Sequence, residues 1–247
     1  MSITYFVTGA NRGIGLAIVK DLLKNADNIV IASVRDITKA ESLNVLSSNK
    51  LKIVSLDISS AESIAELSSQ LSEITRVIDV FISNAGYGNE YTPVLETTTA
   101  EMIKHFTINT LGPIEVFKVV APFLKFSKVK KAIFISSNAG SITYNIPNCA
   151  TYGQSKTALN RILVSLAMEV EEEGIIIGMI HPGMVATDMF LNGLESSSSF
   201  PPKVVKQLMS QAITTEQSAH AVLKLVENWK IEDTGKFLDD KGDVVAW

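Results

Sequence analysis

Six short runs rich in β-branched and aromatic residues recur along the chain, separated by stretches with helical spacing, and this alternation constrains the fold more than any other feature. The runs are Ile3–Thr8, Asn28–Ser33, Leu51–Leu56, Val77–Ser83, Lys131–Ser136 and Ile175–Ile180. Most are nearly continuous in Val, Ile and Phe, which predicts strands covered on both faces. Ile14, Ile18 and Leu22 after the first run, and Ile64, Leu67 and Leu71 after the third, each mark one helical stripe. Strand–helix alternation of this kind implies an α/β fold: a doubly wound parallel sheet with right-handed crossovers and helices on both faces. At 247 residues, with 46% hydrophobic and 19% charged, the chain has material for a full core, which excludes a disordered class. A single domain over residues 1–247 is expected. The one biased segment, Glu195–Pro202, reads as a mobile insertion.

Composition removes several function classes. A formal charge of −4 lacks the basic footprint of a nucleic-acid binder. One cysteine, Cys149, excludes an internal disulfide and a multi-cysteine zinc site. His105, His181 and His220 lack the spacing of a helical metal pair, so no metal site is expected. The chain opens without a basic leader and has no apolar stretch of membrane length, so the expectation is a soluble, cytoplasmic protein with no membrane partner.

Directly after the first run stands Thr8-Gly9-Ala10-Asn11-Arg12-Gly13-Ile14-Gly15, followed by a helix. Glycines at a strand–helix junction let the backbone turn tightly and approach a pyrophosphate, and the helix N-terminus adds free N–H groups and partial positive charge. The spacing also suits an ordinary tight turn. Where dinucleotide folds that bind NAD usually carry an acid after the second strand, this chain has Ser33-Val34-Arg35. Arg35, approached by Arg12, suits a 2′-phosphate and favours NADP(H), with Asp36 as the counter-evidence. A surface pair between Arg35 and Asp36 is the competing reading. Asp57 either accepts from an adenine amino group or caps the next helix.

Tyr152 and Lys156 lie four apart at the start of a helical segment and so share a face. A neighbouring ammonium is expected to lower the phenol pKa, and such a tyrosine can protonate a carbonyl oxygen as hydride reaches the carbon. Chance pairs with this spacing are common. Ser137 ends the fifth run, at the strand end where such folds bind ligands; it can donate to a substrate oxygen or simply cap a turn. Ser136 is the alternative, although strand alternation points it to the other face. Asn109 falls in a predicted helix four residues before Pro113, which lacks an N–H, so the Asn109 carbonyl loses its helical partner at a kink.

Together these residues resemble the short-chain dehydrogenase/reductase family. Thr8–Gly15 matches its T-G-x3-G-I-G loop, and Ser83-Asn84-Ala85-Gly86 matches its N-N-A-G segment with Ser83 in place of the first Asn. Asn109, Ser137, Tyr152 and Lys156 follow the order of its catalytic tetrad, and Pro182-Gly183 with Thr187 resembles its P-G-x3-T stretch. Within the family, the Tyr-Gly-Gln-Ser-Lys helix start, His-Pro-Gly-Met and the Gly-Lys-Phe…Trp247 ending resemble carbonyl reductases of the C-factor and sniffer type and fungal ketoreductase-like members. The resemblance implies a Rossmann-type sheet of about seven strands and NADPH-dependent reduction of a carbonyl to an alcohol. It makes Tyr152 the general acid, has Lys156 lower its pKa and hold the nicotinamide ribose, has Ser137 orient the carbonyl, and has Asn109 hold a relay water. Implied cofactor contacts are Gly9, Asn11, Arg12, Gly13, Ile14, Gly15, Arg35, Asp57, Ile58, Asn84, Ala85, Gly86, Tyr152, Lys156, Pro182, Gly183, Val185 and Thr187. The step from Ser137 to Tyr152 is longer than in many members and suggests a loop beside the substrate carrying Tyr144, Ile146 and Cys149.

Ile103–Phe126 and Tyr152–Val170 are apolar on nearly every helical face, which suggests that they also meet a partner subunit in a homo-oligomer, a dimer or tetramer. Residues from about 190 to 212, with Phe190, Leu191, Leu194, Phe200 and Met209, are expected to form an apolar lid over a hydrophobic carbonyl compound. The competing function is a catalytically idle NADP(H)-binding regulator on the same fold. A serine hydrolase is excluded, because no Gly-x-Ser-x-Gly elbow is present.

Overall fold

A computed structural model describes residues 2–88, 91–144, 146–196 and 200–247. Strands β1 (Thr4–Val7), β2 (Ile29–Val34), β3 (Leu51–Ser55), β4 (Val80–Ser83), β5 (Lys131–Ile135), β6 (Ile176–Ile180) and β7 (Phe237–Leu238) form one sheet, in the order β3-β2-β1-β4-β5-β6-β7. Every pairing is parallel, and the register sets Phe6 beside Ile31 on one side and Phe81 on the other. The six expected runs are the first six strands, each within a residue or a few of its sequence bounds. The seventh, a two-residue strand, was too short for a hydrophobic pattern to reveal.

The helices are α1 (Gly13–Leu22), α2 (Glu41–Asn44), α3 (Ala61–Ile74), α4 (Thr99–Phe106), α5 (Gly112–Lys125), α6 (Ala150–Glu169), α7 (Asp188–Ser196), α8 (Pro202–Gln211) and α9 (Thr215–Asn228). Leu67 and Leu71 of α3, Val116 and Phe117 of α5, and Leu159 and Leu163 of α6 pack against one face of the sheet, with Phe6, Phe81 and Phe134 beneath them. Ile18 and Leu22 of α1, with Val222 and Val226 of α9, cover the other face over Val7, Val30 and Ile82. Burial on both faces is why the strands carry unbroken apolar runs.

Between α4 and α5 the helical ladder widens into a π turn at Thr107–Leu111. Pro113, inside the first turn of α5, has no N–H to give to Asn109, and the extra residue in the turn absorbs that gap. The kink expected from the sequence therefore takes the form of a π turn. Among the described residues no helix is long and apolar enough to cross a membrane, and no group of three His, Cys, Asp or Glu side chains is placed to hold a metal ion. Of the Glu195–Pro202 segment expected to be a mobile insertion, residues 197–199 lie outside the described residues; its flanks belong to α7 and α8.

Candidate active site

The strand order reverses direction between β1 and β4, and parallel sheets open a crevice at the carboxyl end of such a switch point. The expected site residues stand on that edge or on helices that run up to it. Gly9 has φ +64°, and a Cβ there would lie 2.8 Å from Ala85 Cα. A Cβ on Gly15 would lie 2.4 Å from the Gly9 carbonyl oxygen and 2.5 Å from Asn84 Nδ2. These two positions leave no room for a side chain, so the loop after β1 presses directly on the loop after β4. Gly13, at φ +56°, completes the turn into α1. Asn84 Nδ2 donates to the carbonyls of Thr8 and Gly9 at 2.9 and 3.1 Å. The Thr8 hydroxyl accepts from the N–H groups of both Asn84 and Ala85 at 3.0 Å. The result is a narrow backbone cradle that opens onto the α1 N-terminus and fits the pyrophosphate of a dinucleotide.

At the end of β2, Arg35 is exposed and its charge acts on Asp57, not on Asp36. Partial burial raises the Asp57 carboxyl, but hydrogen bonds from Ser59 and the Arg35 guanidinium outweigh that and hold it below the usual carboxylate range. Helix α3 is capped by Ser60, so Asp57 is not its cap. Asp36 turns back into its own loop: it accepts from Thr38 N and Thr38 Oγ1 at 3.0 and 2.6 Å, with Lys39 Nζ 3.5 Å away. Arg12 does not share a partner with Arg35; its Nη1 lies 3.6 Å from Asp188 Oδ2 at the start of α7. Ile58 is pressed under α5, where a Cβ on Gly112 would fall 2.5 Å from its carbonyl oxygen. Asn11 turns its carbonyl to the Ser42 hydroxyl, and Ile14 packs on the α1 face of the core.

Four elements bring the chemical groups together. Ser137 follows β5; its hydroxyl accepts from Ala139 N at 3.2 Å, capping the turn after the strand, and lies near enough to the Tyr152 phenol to favour its ionised form. Ser136 points the other way and donates to Asn160 at 2.6 Å, as strand alternation requires. Lys156, one turn after Tyr152 on α6, is buried; its Nζ donates to the Ile135 carbonyl at 2.9 Å and lies 5.8 Å from the Tyr152 ring centre. A Cβ on Gly86 would lie 3.3 Å from Asn109 Oδ1 and 3.9 Å from Lys156 Nζ, so this glycine meets both.

The electrostatics correct one expectation. Burial pushes the Tyr152 phenol up, Cys149 and Tyr91 push the same way, and only the nearby Ser137 hydroxyl opposes them. Burial also brings Lys156 down to about 8. The ammonium is spent on a carbonyl, and taking both groups out of water outweighs any help it gives the phenolate.

The side chain of Asn109 has a task that sequence reasoning missed. Its Oδ1 accepts from Tyr87 N at 2.7 Å, and its Nδ2 donates to Tyr87 O at 2.8 Å and to Ser155 Oγ at 3.0 Å. Ser155 Oγ in turn donates to the Tyr152 carbonyl at 2.7 Å. The π turn thereby clamps the loop after β4 to the first turn of α6. Tyr87 is held further by Lys104, whose Nζ donates to its hydroxyl at 2.8 Å. Proline spacing and the family order singled out residue 109, and Ser155 lay inside the Tyr-Gly-Gln-Ser-Lys motif, but nothing in the sequence marked Tyr87 or Lys104 or joined them to Asn109.

After β6, Gly183 takes φ +86° and Val185 forms a parallel bridge with Ile213. Ser218 donates to the Pro182 carbonyl at 2.7 Å. Thr187 Oγ1 accepts from Phe190 N at 3.3 Å and so caps α7. Tyr91 and Cys149 border Tyr152 across the bridge between Thr92 and Cys149, and burial takes the Tyr91 phenol to about 12 and the Cys149 thiol to about 11. The Phe200 ring meets Tyr91 edge-on at 5.1 Å.

A Rossmann-like sheet with a glycine cradle at its switch point, and Ser, Tyr and Lys gathered beside it, defines an oxidoreductase of the nicotinamide-dependent class. The chain belongs to the short chain dehydrogenase family, whose model matches residues 4–196. It is 38% identical over 243 residues to an oxidoreductase of Schizosaccharomyces pombe, itself uncharacterised, covering 97% of this chain and 96% of the relative. It is 36% identical over 257 residues to a short chain dehydrogenase of Penicillium aethiopicum, covering 100% of each. Among solved structures it resembles the NADPH-bound carbonyl reductase from chicken fatty liver, with TM-score 0.85, 30% identity and 100% coverage of both chains.

Proposed function

We propose that this oxidoreductase reduces the carbonyl group of an aldehyde or ketone to an alcohol with NADPH, with Tyr152 as the general acid. The observation that carries the reading is the meeting of Ser137, Tyr152, Lys156 and Asn109 beside the glycine cradle. A nicotinamide cofactor supplies the hydride. Tyr152 gives its proton to the carbonyl oxygen, which Ser137 orients by hydrogen bonding. Lys156 holds the cofactor ribose and carries the positive charge beside the phenol, and Asn109 fixes the loop against which both work. A phenol kept protonated by burial suits reduction, which consumes its proton, better than alcohol oxidation, which needs a base. Arg35, with Asp36 turned away from the crevice, supports NADP(H), as does the likeness to an NADPH-bound carbonyl reductase.

The helices α7 and α8 are read as the substrate lid of a single domain. Between them runs a groove of about 570 Å³ lined by Leu194, Phe200, Pro202, Val205 and Met209, with Glu195 and Lys206 also at its wall; its mainly apolar lining supports a hydrophobic substrate. A second groove, about 540 Å³, runs between α5 and α6 over Ile114, Phe117, Pro122, Ile162 and Leu166. Its rim mixes Lys118, Lys125 and Arg161 with Glu169, a pattern that can complement itself across a two-fold axis and supports a homo-oligomer.

The test is Tyr152→Phe. Turnover with a panel of aldehydes, diketones and cyclic ketones, followed by NADPH oxidation, is expected to fall at least about a hundredfold, while NADPH affinity stays within about twofold. Unchanged turnover ends the role of Tyr152. A wild type that binds NADPH but reduces nothing in the panel favours the idle binder instead.

A further inference from the structure

We propose that Asp188 tunes cofactor affinity and release, because its carboxylate competes with the 2′-phosphate of NADP(H) for the Arg12 guanidinium. The inference rests on the NADP(H) reading above. One ion pair carries it, together with the placement of the residues on either side. Arg12 precedes α1 in extended conformation, makes no side-chain capping bond, and places Nη1 3.6 Å from Asp188 Oδ2. The neighbouring residues face each other too: Thr187 stands opposite Gly13, where a Cβ would sit 3.5 Å from Thr187 Cγ2. The base of α7 therefore rests on the glycine loop itself. Thr187 fixes it there, accepting from Phe190 N through its hydroxyl and from Leu191 N through its carbonyl. Asp188 is thus held as the first residue of α7, at the mouth of a cradle shaped for an anion.

One guanidinium then has two partners that exclude each other. Without the phosphate, Arg12 neutralises Asp188; with the phosphate on Arg12, Asp188 loses its counter-ion beside a bound anion. Both side chains are mostly exposed, so the ion pair is weak and the competition modest. A pair of that strength reduces the apparent affinity of a competing anion by about twofold to fivefold. By reciprocity, phosphate on Arg12 weakens the hold of the glycine loop on α7 to the same degree. Asp188 would in this way link the phosphate end of the cofactor to the helix that covers the substrate, and would speed release of the oxidised cofactor after turnover.

The test uses two cofactor fragments, 2′,5′-ADP and 5′-AMP, titrated calorimetrically into the full chain. Asp188→Asn is expected to tighten 2′,5′-ADP by about twofold to fivefold and to leave 5′-AMP unchanged. In an Arg12→Gln background the same substitution is expected to do nothing. The proposal is overturned if D188N leaves 2′,5′-ADP unaltered, shifts both ligands equally, or still acts without Arg12. A wild type with no preference for 2′,5′-ADP over 5′-AMP overturns the NADP(H) reading and takes this proposal with it; a wild type with that preference but an indifferent D188N overturns the role of Asp188 alone.

Discussion

Two regions border the same crevice and are made differently. Between β1 and α1 the chain turns on Gly9, Gly13 and Gly15, and its geometry is set by backbone held in close approach: Gly9 against Ala85, loop carbonyls accepting from the Asn84 side-chain amide, and the Ala85 N–H donating to the Thr8 hydroxyl. Between β6 and α9 the wall is built from side chains, with Met189, Leu194 and Phe200 meeting partners as distant in sequence as Gly88 and Tyr91. The cradle tolerates little change at Gly9 and Gly15, because a Cβ at either would collide with backbone. A wall made of side chains can change its occupant by substitution while the sheet below stays as it is.

The largest effect is expected in the backbone-built half. Gly15→Ala places a methyl against the Gly9 carbonyl, an atom with no flexible end to move away. The expected cost is about 1–3 kcal/mol in stability, with NADPH affinity reduced at least about tenfold. Chemical denaturation and titration measure the two, and an unaltered affinity would show that the cradle is less rigid than the comparison requires.

An intermediate effect is expected where the two halves join. Burial disfavours the charged form of Lys156, so its ammonium persists below about 8 and is lost above it. The rate of reduction at saturating substrate is expected to fall as pH rises through that value. Stability should move the opposite way. Between about pH 8 and the ordinary lysine value of about 10.4, the unfolded chain holds a proton that the native chain does not, so the contribution of Lys156 improves with rising pH across that window. A rate profile that stays flat through about pH 8 would separate Lys156 from the chemistry.

The smallest effect is expected in the side-chain wall. Phe200→Ala removes the edge contact with Tyr91 and is expected to alter kcat/KM for aryl relative to short aliphatic carbonyls by about twofold to tenfold, the equivalent of the 0.5–1.5 kcal/mol of an aromatic pair. NADPH affinity should not change. If F200A weakens the cofactor as much as it alters substrate choice, the two regions are not separable.

The same contrast explains what could be read in advance. The six strands were legible because burial on both faces writes a continuous apolar run, and the loop after β1 was legible because glycines that cannot be replaced stand together in sequence. The short β7 escaped, since two residues carry no period. Asn109 was noticed for its backbone, through Pro113, whereas the structure employs its side chain as a clamp on Tyr87 and Ser155. The phenol of Tyr152 was expected to be acidified by Lys156, yet it is raised. Helical spacing says that two side chains share a face and says nothing of how much water surrounds them.

By itself, then, the sequence determined the parallel sheet, its covered faces, the glycine turn and the order of the chemical groups, because each is a property of neighbours or of a fixed period. Only the tertiary structure decided which partner each charge takes. Arg12 meets Asp188, Arg35 acts on Asp57, Asp36 folds back onto Thr38, and Lys156 donates a hydrogen bond to the Ile135 carbonyl. Coulomb attraction and desolvation depend on distance and burial in space, and residues far apart along the chain set both.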